Sequence, residues 1–178
     1  MVYQVYTVLA VELEEAIRTR RTHKVYGAEP VDKATLDELF ELARWAPNHH
    51  LTGPWRFRVL GPEARERLKE CAGPEGAKLD RAPTLVVASV VQTGDPEQDE
   101  EDLCSAACAI YIVLLGAHAR GLANYWRTPG VLRTAAGCAA VGLGGGERFL
   151  GLIHLGPKRQ EQPPPTRPDP DEFVTYLS

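Results

Sequence analysis

An almost wholly apolar stretch, residues 103–117, constrains the fold of this chain more than any other segment. Its composition predicts a helix that is apolar around its whole circumference, with Gly121 placed to end it. Such a helix must be buried on all sides. The chain has 178 residues, which suits one domain, so we expect a central helix that also faces a partner subunit. The stretch is too short and too closely bounded by charge to span a membrane.

Acidic residues lead into this helix, from Asp95 to Asp102. We interpret them as a solvated helix N-terminus, where negative charge is favourable, and not as a metal site. Cys104 and Cys108 share one helix face and are interpreted as small buried apolar residues. None of the 4 cysteines forms a Cys-x-x-Cys motif, so neither a metal site nor a redox pair is predicted.

The other segments alternate between helical and extended patterns without a clean parallel repeat. We therefore predict an α+β domain with a central sheet flanked by helices. The Gly-rich segment 142–146 lacks the Lys-Ser/Thr of a phosphate loop and is predicted to be a turn. The predicted helices cover about 11–21, 32–45 (with Asp32 as cap) and 62–70, and the predicted strands cover 55–60, 83–91, 123–126 and 149–155.

Charge and targeting signals narrow the class of protein. The net charge of -4 argues against a nucleic-acid binder held by phosphate contacts. The N-terminal residues lack a charged start followed by an apolar core, so no cleavable signal peptide is predicted and a cytoplasmic location is expected. We expect one domain over 1–178, with 158–178 as an extended C-terminal arm. Its proline-rich part could be read by a proline-binding module, but we favour an arm that lies on its own subunit or a neighbour.

The segment from Trp45 to Trp55 carries two histidines, an asparagine and two tryptophans around a proline break. Aromatic and imidazole side chains in such a loop are more typical of binding than of a simple connection. A second candidate lies at the end of the first predicted helix, where two arginines, a histidine and a lysine surround a threonine. Guanidinium groups and a hydroxyl suit phosphate, although a solvated helix end is the common alternative. Further basic or aromatic groups stand at Lys158-Arg159, Arg167 and 124–130.

These motifs resemble, in order, those of the nitroreductase family of flavoproteins. Arg20-Arg21-Thr22 with Lys24 and Tyr26 is similar to that family's Arg-(Arg/His)-Ser-x-(Lys/Arg)-x-(Phe/Tyr) start. The segment 45–55 resembles its Ala-Pro-Ser…Gln-Pro-Trp loop, and three later motifs follow in order (Ala82-Pro83, Gly121 and 152–157). A compact subgroup of the family matches best, through Ala46-Pro47-Asn48-His49, Trp126-Arg127-Thr128 and a closing 168–176 segment.

The resemblance implies a three-layer domain with a mostly antiparallel central sheet, in an intertwined homodimer that binds FMN at the subunit interface. Arg20, Arg21 and Thr22 would bind the phosphate and ribityl chain, and Lys24 would approach the N1/O2 edge of the ring. His49 and Trp45 would reach the flavin from the other subunit. The remaining implied contacts are Trp126, Arg127 and Thr128.

The implied activity is hydride transfer from NADH or NADPH through flavin N5 to a nitroaromatic, quinone or similar small acceptor, with ping-pong kinetics. The flavin carries this chemistry, so no protein nucleophile or general base is required. Lys24 would stabilise the anionic reduced ring. Leu51 and Gly53 depart from the family's usual asparagine and glutamine, so the sequence leaves the acceptor open.

Three alternatives remain at this level. The fold also hosts dehalogenases and flavin-consuming enzymes, although the lid segments of those relatives are not visible here. A flavin-binding module without turnover would carry the same motifs. A structural dimer with merely superficial basic residues explains the ordered motifs least well.

Overall fold

The computed structural model describes residues 12–177 and contains a four-stranded sheet with strand order β1-β2-β4-β3. Each pairing between these strands is antiparallel, which confirms the α+β prediction and the antiparallel sheet. The interior strand β2 buries both of its faces, as its β-branched run predicts. The strands are β1 (Trp55–Val59), β2 (Thr84–Val91), β3 (Leu122–Arg127) and β4 (Glu147–Pro157).

Two layers of helices cover the sheet, because alternate residues of β2 point to opposite sides. Val86 packs with helices α2 and α4, whereas Leu85 packs on the other side with α3 and α5. The predicted helix start near residue 11 lies outside the described residues. The helices are α1 (Leu13–Thr19), α2 (Lys33–Ala43), α3 (Pro62–Ala72), α4 (Pro96–Ala119) and α5 (Ala135–Ala140).

Local signals set the ends of these helices. The carboxylate of Asp32 accepts a hydrogen bond from the backbone N–H of Thr35 at 2.9 Å, as expected of an N-cap. The Asp95 carboxylate caps α4 in the same way. Gly121 follows α4 with φ of 73°, a left-handed conformation that glycine adopts without strain and that ends the helix.

Helix α4 packs its inner face against the sheet and against α2, and leaves its outer face uncovered in the single chain. Ala109, Ile110 and Val113 are fully buried on the inner face. Cys104, Cys108 and Tyr111 are exposed on the outer face, at helical spacing. The expectation of two buried cysteines was therefore wrong for the single chain, because both side chains point away from the sheet.

By length and composition, α4 is the one helix within 12–177 that is apolar enough to cross a membrane. Half of that window is buried inside the domain, and core helices share this composition. The segment is thus a core helix with one unpartnered apolar face.

The C-terminal residues 159–177 are exposed throughout. Most of this stretch has no regular structure, apart from a short 3-10 turn at Pro170–Glu172. Phe173, Tyr176 and Leu177 are 69%, 91% and 92% exposed, so this tail does not pack on its own subunit's core. The glycine-rich segment 142–146 forms a turn before β4, as predicted.

Candidate functional site

The first candidate group of side chains lies where the chain leaves α1 and runs beside β3. The Thr19 hydroxyl lies 2.8 Å from Nε2 of His118, near the C-terminal end of α4. The next residues extend along the free edge of β3, where Thr22 bridges to Asn124 and the N–H of His23 donates to the Asn124 carbonyl oxygen at 3.0 Å. Strand pairing thus fixes Arg20, Arg21 and Thr22 against this edge.

Asn124 organises this group and was not predicted as a site residue. Its side chain is fully buried, with Nδ2 donating to the Leu114 carbonyl oxygen at 3.2 Å. Its Oδ1 accepts a hydrogen bond from Nη1 of Arg20 at 3.3 Å. The sequence did hold a signal, since an asparagine inside an apolar strand needs a buried partner.

The group is electropositive. Burial lowers the pKa of His118, and the positive charges of Lys158 and Arg20 lower it further. Burial is also the main cause of the lowered pKa of His23. Both imidazoles therefore favour the neutral form among fixed cations. We call the cations Arg20, Arg21 and Lys158, together with the neutral imidazoles of His23 and His118 between them, the cation cluster.

The arginines of the cation cluster have N–H groups that can donate hydrogen bonds to a ligand. Within residues 12–177 neither Arg20 nor Arg21 forms an ion pair with a carboxylate. Nε of Arg21 is buried without a hydrogen-bond partner, an arrangement that is unfavourable unless a ligand accepts from it. Thr22 and Lys24 are exposed beside it. These donors fit a phosphate group.

The second candidate is the loop between α2 and β1, residues 47–53. His50 and Leu51 have φ of 55° and 53°, which is strained for residues with a Cβ. Oδ1 of Asn48 accepts from the Gly53 N–H at 3.0 Å, and the Thr52 hydroxyl donates to the Asp102 carboxylate at 2.8 Å. The loop is thus fastened to α4 by side-chain hydrogen bonds.

His49 projects from this loop and hydrogen-bonds through Nδ1 to Oε2 of Glu101, 2.7 Å away. A cavity of about 640 Å³ opens at this point. Trp45, at the start of the loop, is 76% exposed. The lining residues are Pro47, Asn48, His49, Glu97, Glu100, Glu101, Cys104, Ser105 and Cys108.

The acidic segment is therefore only partly the solvated helix end that the sequence suggested. Asp102 is 2% exposed and accepts hydrogen bonds from Gln98 and Thr52. It faces inward because it lies on the buried side of α4, where the loop covers it. Glu101 and Asp102 are the contacts that the sequence interpretation missed.

The two candidate groups are not brought together within one chain. His49 contacts α4 at Glu101, whereas the cation cluster contacts it at His118. At a rise of about 1.5 Å per residue, these positions lie roughly 25 Å apart along the helix axis. A ligand that contacts both groups would have to lie between two copies of the chain.

The side chains predicted as a site at the end of β3 lie on opposite faces of the sheet. Trp126 packs on the α4 side, and its indole N–H donates to the Leu150 carbonyl oxygen at 3.0 Å. Arg127 lies on the other side, beside Glu75 in a cavity under α3. Thr128 is exposed and lines a third cavity near Arg133. Alternation along the strand separates Trp126 from Arg127.

An antiparallel sheet between two helical layers defines a three-layer α+β protein, and the cation cluster lies at its sheet edge. Residues 17–76 match the model of the nitroreductase family. This segment contains both the first arginines and the His49 loop. Over this segment the chain is similar to the nitroreductase family.

Relatives match over most of the chain. YdjA of Escherichia coli K12 is 27% identical over 93% of this chain and 98% of its own length. YfhC of Bacillus subtilis is 25% identical over 81% of this chain and 83% of its own length. Both names place these proteins provisionally among NAD(P)H nitroreductases.

Solved structures share the fold. A nitroreductase-like family protein from Bacillus cereus superimposes with a TM-score of 0.86 at 23% identity, covering 94% of this chain and 96% of its own. The FMN and NADPH-dependent nitroreductase NfnB from Sphigopyxis sp. strain HMH gives a TM-score of 0.79 at 18% identity, covering 94% and 100%. The three-layer architecture predicted from the resemblance is thereby confirmed.

Proposed function

We propose that this chain is a cytoplasmic, homodimeric, FMN-dependent oxidoreductase. It moves a hydride from NADH or NADPH to a small acceptor such as a nitroaromatic compound or a quinone. The names of the relatives support the nicotinamide and the flavin.

The observation that carries the proposal is the position of the two candidate groups at opposite ends of α4. The helix face between them is apolar and exposed, with Cys108 and Tyr111 at its centre. Exposed apolar surface of this kind favours burial against a partner. If two copies of α4 pack antiparallel about a two-fold axis, the His49 loop of each copy meets the cation cluster of the other.

Each half of such a site would hold a different part of FMN. Arg20, Arg21 and Thr22 would bind the phosphate and ribityl chain, because their donors lack a carboxylate partner in the described residues and Nε of Arg21 is buried without an acceptor. Lys24 would bring a cation to the N1/O2 edge of the ring. His49 and Trp45 would contact the cofactor of the neighbouring copy.

The end of β3 contributes less than the motif suggested. Trp126 already uses its indole N–H on Leu150, so its remaining contribution is its ring and backbone. Thr128 is exposed, so its hydroxyl can donate to a ligand. Arg127 points to the α3 side. To contact the cofactor, its long side chain would have to pass around the end of the strand.

When bound, FMN would supply the reversible two-electron chemistry. The protein's part is to hold the phosphate with fixed cations, to orient the ring with Lys24, and to exclude water at the interface. The exposed tail residues Phe173 and Tyr176 would help with exclusion by covering the neighbouring copy.

The test uses the purified full-length protein. It should be yellow or become yellow with added FMN, and NADH or NADPH should bleach it without oxygen. A panel of nitroaromatics and quinones, assayed with each nicotinamide, then identifies the acceptor. Colour without bleaching would favour a binding module, and a colourless protein that ignores FMN would overturn the proposal.

A further inference from the structure

The contact between His49 and Glu101 has a chemistry of its own. The carboxylate can only accept, so the 2.7 Å contact requires His49 to carry its proton on Nδ1. Nε2 forms no hydrogen bond with any residue in 12–177. A carboxylate that fixes one ring nitrogen in this way presents the other to a ligand.

The backbone of the loop that carries His49 is strained. Two successive non-glycine residues after His49 have left-handed backbone conformations, and strain of this kind concentrates at functional sites. The rings of His49 and His50 are stacked, with centroids 3.8 Å apart. The Thr52–Asp102 hydrogen bond ties the far end of the loop to the same helix. The position of His49 is therefore set from both sides.

The surroundings of the His49–Glu101 pair are acidic. Glu97, Glu100 and Glu101 line the cavity beside it, together with Cys104 and Ser105. No lysine or arginine among the described residues lines that cavity. An imidazolium ion here has a carboxylate on Nδ1 and an N–H on Nε2 to donate.

We infer that His49 donates the proton that completes reduction of the acceptor, and that Glu101 positions it. This inference rests on the proposed function. A hydride carries two electrons and one proton, and the nicotinamide is its source. A quinone that accepts this hydride becomes an anion on one oxygen atom. Nε2–H of His49 gives its proton to that oxygen, forming the O–H bond of the hydroquinone. His49 is left neutral, with its Nδ1 proton held by Glu101, and regains a proton from water.

The decisive experiment compares two electron acceptors on the same holoenzyme. p-Benzoquinone needs a proton to complete its reduction, whereas ferricyanide takes electrons alone. In His49→Gln saturated with FMN we expect kcat/KM for benzoquinone to fall about a hundredfold further than kcat/KM for ferricyanide, which is the scale of a lost general acid. Glu101→Gln should show the same pattern with a smaller loss, about tenfold.

His50→Asn is the matched control, because His50 is the stacked neighbour without a carboxylate and asparagine tolerates its left-handed backbone. It should reduce both acceptors at the rate of the unaltered protein. Equal rates for benzoquinone in His49→Gln and the unaltered protein would overturn the inference. An equal loss for both acceptors would also overturn it, because His49 would then serve electron transfer or cofactor binding alone.

A measurement independent of turnover tests the pair directly. Nitrogen-15 NMR of the histidine rings should show His49 with its proton on Nδ1, and Glu101→Gln should lose that preference. Nδ1 without a proton in the unaltered protein would contradict the assigned geometry. Titration with FMN distinguishes failure of the proposed function from failure of this inference. An unaltered protein that does not bind FMN overturns the proposed function. A His49→Gln variant that binds FMN normally and reduces quinone at the unaltered rate overturns only the role of His49.

Discussion

Nη1 of Arg20, just beyond α1, donates a hydrogen bond across 3.3 Å to Oδ1 of Asn124, which is fully buried in β3. The nitrogen Nδ2 of the same side-chain amide donates to the Leu114 carbonyl oxygen in α4. One buried side chain thereby connects three elements and fixes the direction of a guanidinium group. Phosphate recognition by arginine depends on this kind of fixed geometry.

Replacing Arg20 by alanine should release FMN. A hydrogen bond to a charged group contributes about 1.5–3 kcal/mol, so FMN affinity should fall roughly ten- to a hundredfold. Fluorescence titration of the apoprotein with FMN measures this. Arg18→Ala is the control, because it removes the same charge from an exposed residue of α1 that pairs with Glu14. Equal affinities in the two variants would remove Arg20 from the phosphate site.

A charge on the outer face of α4 should separate the two copies of the proposed dimer. In an antiparallel pairing Cys108 lies near the two-fold axis, so Cys108→Glu brings two carboxylates together. Like charges in an interface should raise the dimer dissociation constant about a hundredfold or more. Cys71→Glu, on an exposed position of α3, should leave it unchanged. Sedimentation equilibrium reports the result, and a dimer that survives Cys108→Glu would exclude this face as the interface.

His154 should make the protein sensitive to acid. Its ring lies between Tyr26 and Tyr125, at centroid distances of 6.4 and 5.8 Å, and its Nε2 is buried without a partner. Burial, with the positive charges of Arg127, Arg65 and Arg81, lowers the pKa of His154 to about 4 from 6.5.

The unfolded chain therefore binds this proton at a higher pH than the folded chain does. The contribution of His154 to the free energy of unfolding is fully present above pH 6.5 and is lost as the pH falls towards 4. The loss amounts to about 3 kcal/mol. Urea unfolding at pH 7 and at pH 4 should show a smaller loss in His154→Phe than in the unaltered protein. Identical losses would mean that other groups account for the acid sensitivity.

Gly151 should not tolerate a side chain. A methyl group added there would overlap the indole of Trp126, whose N–H is held by the Leu150 carbonyl oxygen. Gly151→Ala should therefore reduce the free energy of unfolding by about 1–3 kcal/mol, the usual scale of overpacking. Gly144→Ala is the control, because nothing lies near an added Cβ there. Chemical denaturation compares the two, and equal stabilities would mean that the indole moves at little cost.

Several elements followed from the sequence because local signals decide them. Asp32 caps α2, Gly121 ends α4, and the β-branched run 84–91 forms an interior strand. Each depends on a backbone preference or a side-chain periodicity that neighbouring residues carry by themselves. Cys104 and Cys108 show what local signals cannot predict. The apolar character of α4 all around its circumference did not reveal which of its sides faces the sheet.

By itself the sequence determined the α+β class, the apolar central helix and the two segments that carry arginines and histidines. Only the tertiary structure decided how these parts relate. It showed that Asn124 holds Arg20, that Glu101 holds His49, and that α4 keeps the two groups roughly 25 Å apart in one chain. The reason is physical: periodicity and capping act within a few residues, whereas each of these contacts joins residues at least 50 positions apart, and packing of the whole core sets their geometry.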